Sequence, residues 1–154
     1  MLKQLKRLRS QSIDMLVFSF PDGATSSQEN LNWKIEYDQA TQEYRIMDQD
    51  ILVHRSRVFH SSRLLRNFHF EKPLITIGDC FTDDRYRGKG IYPYVLGKIA
   101  KQYAHTTQVF ILVAPDNIPS IKGIEKAGFQ FTARLRSFRF LVFYFRKRIS
   151  ITRK

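Results

Sequence analysis

Apolar positions along the chain switch between two periods, and the switches mark its elements. Residues 13–20 form an apolar run closed by Pro21, Asp22 and Gly23, as a strand ending in a turn does. Residues 24–32 are polar and predict a loop. Residues 33–37 and 44–47 alternate on either side of a polar hexapeptide, which predicts a hairpin. Asp48 and Asp50 then turn the chain into a strand over 51–59, with Val53, Arg55, Arg57 and Phe59 on one face. Residues 60–72 stay open: Leu64, Leu65 and Phe68 have helical spacing, and Pro73 ends whatever they form. Residues 74–82 predict a strand. Val95, Leu96, Ile99, Ala100 and Tyr103 recur at helical spacing. Residues 107–114 are continuously apolar, as a strand covered on both faces is. Strand, helix and strand at this spacing predict one right-handed parallel crossover. A second helix, capped by Asp116 or Asn117, carries Ile121 and Ile124 on one face and stops at Gly128. Strands over 129–132 and 135–145 finish the sheet. In the last of these, Leu135, Ser137, Arg139, Leu141, Phe143 and Phe145 share a mostly apolar inward face, opposite Arg134 and Arg136.

Composition narrows the class. A chain of 154 residues, 43% hydrophobic, predicts one globular domain over 1–154. One cysteine excludes a disulfide framework and a Cys-rich metal site, and the four histidines lack metal-ligand spacing, so no metal is expected. No apolar run reaches a membrane span and no signal-peptide core is visible, so a cytoplasmic location is expected.

The net charge of +12 is informative once located. Residues 13–133 hold 14 bases and 14 acids. The whole excess sits in the ends: Lys3, Lys6, Arg7 and Arg9 in segment 1–12, and eight bases without an acid over 134–154, including a basic tail at 146–154. Residues 1–12 read either as a basic amphipathic helix with Leu2, Leu5 and Leu8 aligned or as a solvated terminus. The ends point to an anionic partner, either a membrane surface (the inner face, for a cytoplasmic protein) or RNA, the less favoured of the two.

Chemistry concentrates at Arg87-Gly88-Lys89-Gly90, between the 74–82 strand and the helix that follows. Glycines let a backbone turn sharply and approach a ligand closely. Pro93, in the first helical turn, gives up only an N–H that has no helical partner. Exposed amides and the helix dipole make a site for phosphate, and Arg87 and Lys89 add full charges. The spacing excludes a nucleotide P-loop: Ile91 and Tyr92 stand where Ser or Thr would serve magnesium.

Arg87-Gly88-Lys89-Gly90-Ile91-Tyr92 resembles the pyrophosphate loop of the GNAT superfamily of acyl-CoA-dependent N-acyltransferases, with Tyr92 replacing the final small residue. The frame beginning at Arg85 also fits the letters but sits less well against the helix. A second GNAT landmark follows in order, Asn117-Ile-Pro-Ser120 and then Glu125-Lys-Ala-Gly-Phe129. The resemblance covers about residues 33–145. It implies an α/β fold with a mixed, mostly antiparallel sheet, a central parallel β-α-β unit and helices on both faces. It implies acetyl-CoA as co-substrate, with the backbone of Cys80, Phe81 and Thr82 holding the pantetheine arm. The amides of Gly88, Lys89, Gly90, Ile91 and Tyr92 beside Arg87 would hold the pyrophosphate, with Asn117 and Ser120 near the reactive end.

The implied reaction is acetyl transfer to an amine, which needs a proton acceptor and a donor to the departing thiolate. Asp79, a carboxylate in an otherwise apolar strand, is the candidate base, and an ion pair with a nearby arginine is the alternative role. The family's usual acid is a tyrosine where this chain has Ile124, so Tyr92 or Tyr94 replaces it, or solvent does, or activity is impaired. The expected acceptor is a small or carrier-linked amine, an amino sugar on a nucleotide or lipid carrier being favoured. A protein or ribosomal amine, and a coenzyme A-binding module without transfer, are the alternatives.

Overall fold

The computed structural model describes residues 11–24, 31–71, 73–141 and 143–150. Most of the segment expected as a basic helix (1–10), part of the 24–32 loop (25–30) and residues 151–154 lie outside the described residues. Gln11 and Ser12 are strand, not helix: β1 spans Gln11–Ser19. There follow β2 (Glu36–Asp38), β3 (Glu43–Asp48), β4 (Ile51–Phe59), helix α1 (Arg63–Asn67) and β5 (Leu74–Thr82). A 3-10 turn (Asp84–Tyr86) leads to α2 (Ile91–Ala104), β6 (Gln108–Val113), α3 (Ile118–Lys126), β7 (Gln130–Phe140) and β8 (Phe143–Ser150). Among the described residues the strands make one sheet in the order β2-β3-β4-β5-β6-β1-β7-β8. Every neighbouring pair is antiparallel except β5 with β6, which α2 connects.

The first strand of the chain is thus sixth in the sheet, between β6 and β7. Val17 is buried on one face and Phe18 on the other, as a central strand requires. On one face α2 and α3 cover Ile75, Ile77 and Ile111 through Val95, Leu96, Ile99 and Ile124. On the other, α1 brings Leu65 and Phe68 onto Val17, Leu74, Phe110 and Leu135. The segment left open by its pattern is therefore a short helix, and the Ser62 hydroxyl caps it by accepting from the Leu65 N–H at 3.2 Å.

Two expectations about the C-terminal strands are corrected. β7 runs unbroken from Gln130 to Phe140, because a bulge opposite Val17 and Phe18 absorbs the interruption. The strand expected over 135–145 is two strands, since the chain reverses at Leu141 (φ 52°) and returns as β8. Residues 146–150 are accordingly strand rather than tail. Leu135 and Ser137 do face inward, but Phe143 and Phe145 pair with Phe140 and Phe138 on an exposed surface. No Gly, Asn or Pro marks this turn, so the reversal left no local signal.

Candidate active site

The site begins where two strands part. β5 and β6 pair in register only from Leu74 and Gln108 to Ile77 and Ile111, yet β5 continues to Thr82. Beyond Ile77 its β6-facing edge has no strand partner among the described residues. A bulge on the β4 side accompanies the separation. Arg57 opposes Gly78 and Arg55 opposes Phe81, so Asp79 and Cys80 together face Ser56. Asp79 takes φ 48°, in the left-handed region. The extra residue bends the strand and turns consecutive side chains to different faces. Cys80 opens onto the cleft; Asp79 does not line it.

After β5 the chain is pinned before it turns into α2. Asp83 accepts from the Arg85 N–H at 3.0 Å, and Arg87 Nε donates to the Thr82 carbonyl at 3.2 Å. The Tyr86 hydroxyl donates to Asp48 at 2.6 Å, and the Lys89 ammonium stands 4.8 Å from the Tyr86 ring centroid. Gly88 and Gly90 both have φ 76°, and Gly90 is the N-cap of α2. The first helical bond runs from the Tyr94 N–H to the Gly90 carbonyl at 3.1 Å. Pro93 has no N–H, so the amides of Ile91 and Tyr92 remain at the positive end of the helix. A Cβ built on Gly88 would meet nothing within 4 Å, which leaves open space over the turn.

The opposite wall is the start of α3, where the Asn117 side chain accepts from the Ser120 N–H at 3.3 Å. Between the walls lies a cleft of about 820 Å³. It gathers Cys80, Thr82, Arg87, Gly88, Lys89, Gly90, Ile91, Tyr92, Asn117 and Ser120, ten of the twelve residues singled out by the sequence. Phe81, between Cys80 and Thr82, alternates away from it and is exposed. Lys122 and Lys126 add positive charge along α3.

No family model and no curated protein matches the sequence. Among solved structures, a GNAT-family acetyltransferase from Colwellia psychrerythraea matches with a TM-score of 0.61 at 14% identity, over 86% of this chain and 57% of that one. This chain has the GNAT fold. It spans little more than half the length of that neighbour.

Within this GNAT fold, two residues behind the cleft were not singled out by the sequence. The buried His54 imidazole bonds Thr82 Oγ1 through Nδ1 and Ser56 Oγ through Nε2, both at 2.8 Å. Ser56 Oγ donates onward to Cys80 Sγ at 3.2 Å. Its oxygen therefore accepts from Nε2–H, and Nδ1 accepts from the Thr82 hydroxyl. Burial pushes His54 down to about 4, which keeps this ring neutral at physiological pH. Burial likewise pushes the Cys80 thiol up to about 11: it reaches the cleft but is closely surrounded by protein. It is a thiol at neutral pH, not a thiolate nucleophile. The sequence held one clue, two polar residues two apart in β4, but their facing Cys80 and Thr82 depends on a register that only the bulge defines.

Tyr92 was singled out by the sequence, but its packing was not. Its ring lies against α3 where Gly123 leaves room: a Cβ there would stand 2.5 Å from Tyr92 Cδ1. The ring centroid is 6.1 Å from that of His54, Ser120 lines the same cleft, and burial raises the phenol above its ordinary range. Ile124, where the resemblance would place a tyrosine, is fully buried in the core. Asp79 instead bonds Arg55 at 3.1 Å and Arg57 at 3.4 Å, and Arg57 also pairs with the buried Glu43.

The His54 arrangement sets a pH dependence. Its folded pKa lies below the unfolded value of about 6.5, so the unfolded chain binds the extra proton between the two. Stability is complete above pH 6.5 or so and falls as pH drops towards 4, by about 3 kcal/mol at most. Asp14 and Glu43 are held low, Asp14 by its Arg134 bond and Glu43 by its Arg45 bond, so their contributions are lost only at lower pH. Urea unfolding at about pH 7 and about pH 4.5 should show wild type losing clearly more stability than His54→Gln; equal losses would contradict a buried neutral imidazole.

Proposed function

We propose that the chain is an acetyl-CoA-dependent N-acetyltransferase. The observation that carries this reading is the meeting of an unpaired β5 edge and the amide-rich start of α2 in one cleft. The two walls suit coenzyme A differently. Backbone N–H and C=O groups from Cys80 to Thr82 match the amides of a pantetheine arm. The turn from Gly88 to Tyr92, with Arg87 and Lys89, suits a pyrophosphate. Bound there, acetyl-CoA supplies an acetyl group activated as a thioester. Transfer forms an amide bond at the acceptor nitrogen and breaks the C–S bond; the amine loses a proton and the sulfur gains one.

Tyr92 is our candidate for donating that last proton. It is protonated at neutral pH, lines the cleft, and is held against Gly123. For Asp79 we favour a positioning role: its pairing with Arg55 and Arg57 holds the bulge that turns Cys80 to the cleft. The acceptor we propose is a carrier-linked amine, an amino sugar being the favoured case, with the cationic ends as support for a phosphate-bearing or lipid carrier.

Gly88→Asn tests the cofactor site, because asparagine tolerates the φ of 76° that would strain a β-branched residue. The protein has space for the side chain, so bound ligand is what meets it. Loss of two or more charge-assisted hydrogen bonds at roughly 1.5–3 kcal/mol each should weaken coenzyme A at least about a hundredfold. Calorimetry giving unchanged affinity in the folded variant would refute the cradle. In steady-state kinetics with acetyl-CoA and an acceptor panel, read by thiol release, Tyr92→Phe should lower kcat by about 10²-fold or more with little change in the KM for acetyl-CoA. Asp79→Asn, which tolerates a left-handed backbone, should cost less than about tenfold. A loss of about 10²–10⁴ in Asp79→Asn with the rising limb of the pH profile gone would return the base role to Asp79.

A further inference from the structure

At the β8 edge of the sheet, the β7–β8 hairpin ends in an apolar tip. Phe138 pairs with Phe145 and Phe140 with Phe143, and directly opposed residues share a face. Four phenylalanines therefore form one patch, with Leu141 in the turn at its end. These five side chains are between 38% and 61% exposed. Water does not favour so much contiguous apolar surface, and such a patch marks an interaction site.

Charge surrounds the patch on one side only. Arg136 pairs with Arg148 four residues behind Phe140, about 13 Å along the strands. Arg146 and Lys147 lie at the bulge between, Lys147 donating to the Asn67 carbonyl at 2.9 Å, and Arg139 lies on the other face, bonded to Gln11. Asp14, the acid opposite Arg136 in the sheet, is already engaged by Arg134 and Arg136. Gln11, opposite Arg139, joins β1 to residues 1–10, whose sequence adds Lys3, Lys6, Arg7 and Arg9 without an acid.

We propose that the β7–β8 hairpin docks the protein on an anionic lipid bilayer, with the phenylalanine tip in the interface and the bases among the headgroups. The spacing fits. Phe138 and Phe145 lie about 7 Å behind the Phe140 and Phe143 pair, within the 5–10 Å to which interfacial elements bury apolar groups. The bases follow at headgroup depth, where an anionic surface attracts each of them. A second copy of the chain fits worse, since apposing two tips would bring the rows holding Arg136, Arg146 and Arg148 together. A single-stranded nucleic acid wants cations along its backbone track beside the stacking rings, whereas here they lie behind the rings.

Docking would also orient the cleft. Leu16 is level with both Val113 and Arg134, so Phe140 lies six residues, about 20 Å, beyond the end of β6. The tip projects from the end of the sheet at which β5 and β6 finish and the cleft opens. The docking surface stands independently of the acetyl-transfer reading, and its test does not use turnover.

The test is cosedimentation of full-length protein with vesicles of phosphatidylcholine alone or mixed with phosphatidylglycerol. Binding to the mixed vesicles should exceed binding to the neutral ones at least about tenfold and weaken with salt. The Phe140→Ser/Phe143→Ser variant and the Arg146→Glu/Arg148→Glu variant should each lose about tenfold or more, with unchanged circular dichroism and coenzyme A affinity. Lost coenzyme A binding with intact vesicle binding would be a failure of the cofactor reading alone. The docking surface is overturned if wild type ignores the mixed vesicles, or if the phenylalanine variant binds them as wild type does. It is equally overturned if the tip instead drives dimerisation, or if these substitutions abolish steeply salt-dependent RNA binding in a protein that does not bind vesicles.

Discussion

A strand that leaves its neighbour must find other partners for its backbone groups, because each buried N–H or C=O without one costs stability. β5 is in that position after Ile77, where its parallel pairing with β6 stops. The β4 side compensates in part by continuing to pair up to Thr82, across a bulge that shifts the register by one residue. What remains is a short polar edge beside a hydrophobic core, facing the start of α2 across the glycine turn. The cleft with its proposed cofactor site, the polar chain and the ion network all depend on this separation. Closing the two strands would remove the cleft and bury the backbone that suits it to a ligand.

The bulge also divides the chemistry between the faces of the sheet. Towards the cleft, Thr82, His54, Ser56 and Cys80 form a neutral hydrogen-bonded chain, in which every imidazole nitrogen has a partner. A neutral, satisfied network is how polar groups are buried without large cost. On the other face, Glu43 is buried but lies between Arg45 and Arg57, and Asp79 lies between Arg55 and Arg57. Alternating charges let that surface carry five ionised groups without a lone buried one. Tyr92 and Gly123 show the same complementarity on a smaller scale: one helix supplies a large side chain, and the facing helix omits even a Cβ.

Much of this was legible in the sequence, for identifiable reasons. The crossover unit and the glycine turn were visible because helix and strand periods differ, and because Gly88 and Gly90 occupy positive-φ positions where other residues are strained. The α3 cap was visible because Asn117 lies three residues before the Ser120 amide it accepts from. Long-range register was not visible. Nothing near residue 13 says that β1 will insert between β6 and β7. Nothing near Leu141 announces a turn, since its left-handed backbone is imposed by the pairing of β7 with β8 rather than by a glycine. Asp79 shows the same limit at single-residue scale: its place in a strand was legible, but its face was set by the bulge.

Amide hydrogen exchange of the full chain with and without coenzyme A addresses the central claim directly, because it reads backbone groups rather than side chains. The account predicts that coenzyme A slows exchange in two separate segments, residues 80–82 on the unpaired β5 edge and residues 88–92 at the start of α2, while β7 and β8 are unaffected. Protection confined to other segments, or no protection at saturating coenzyme A, would contradict the claim that the parting of β5 and β6 creates the cofactor site.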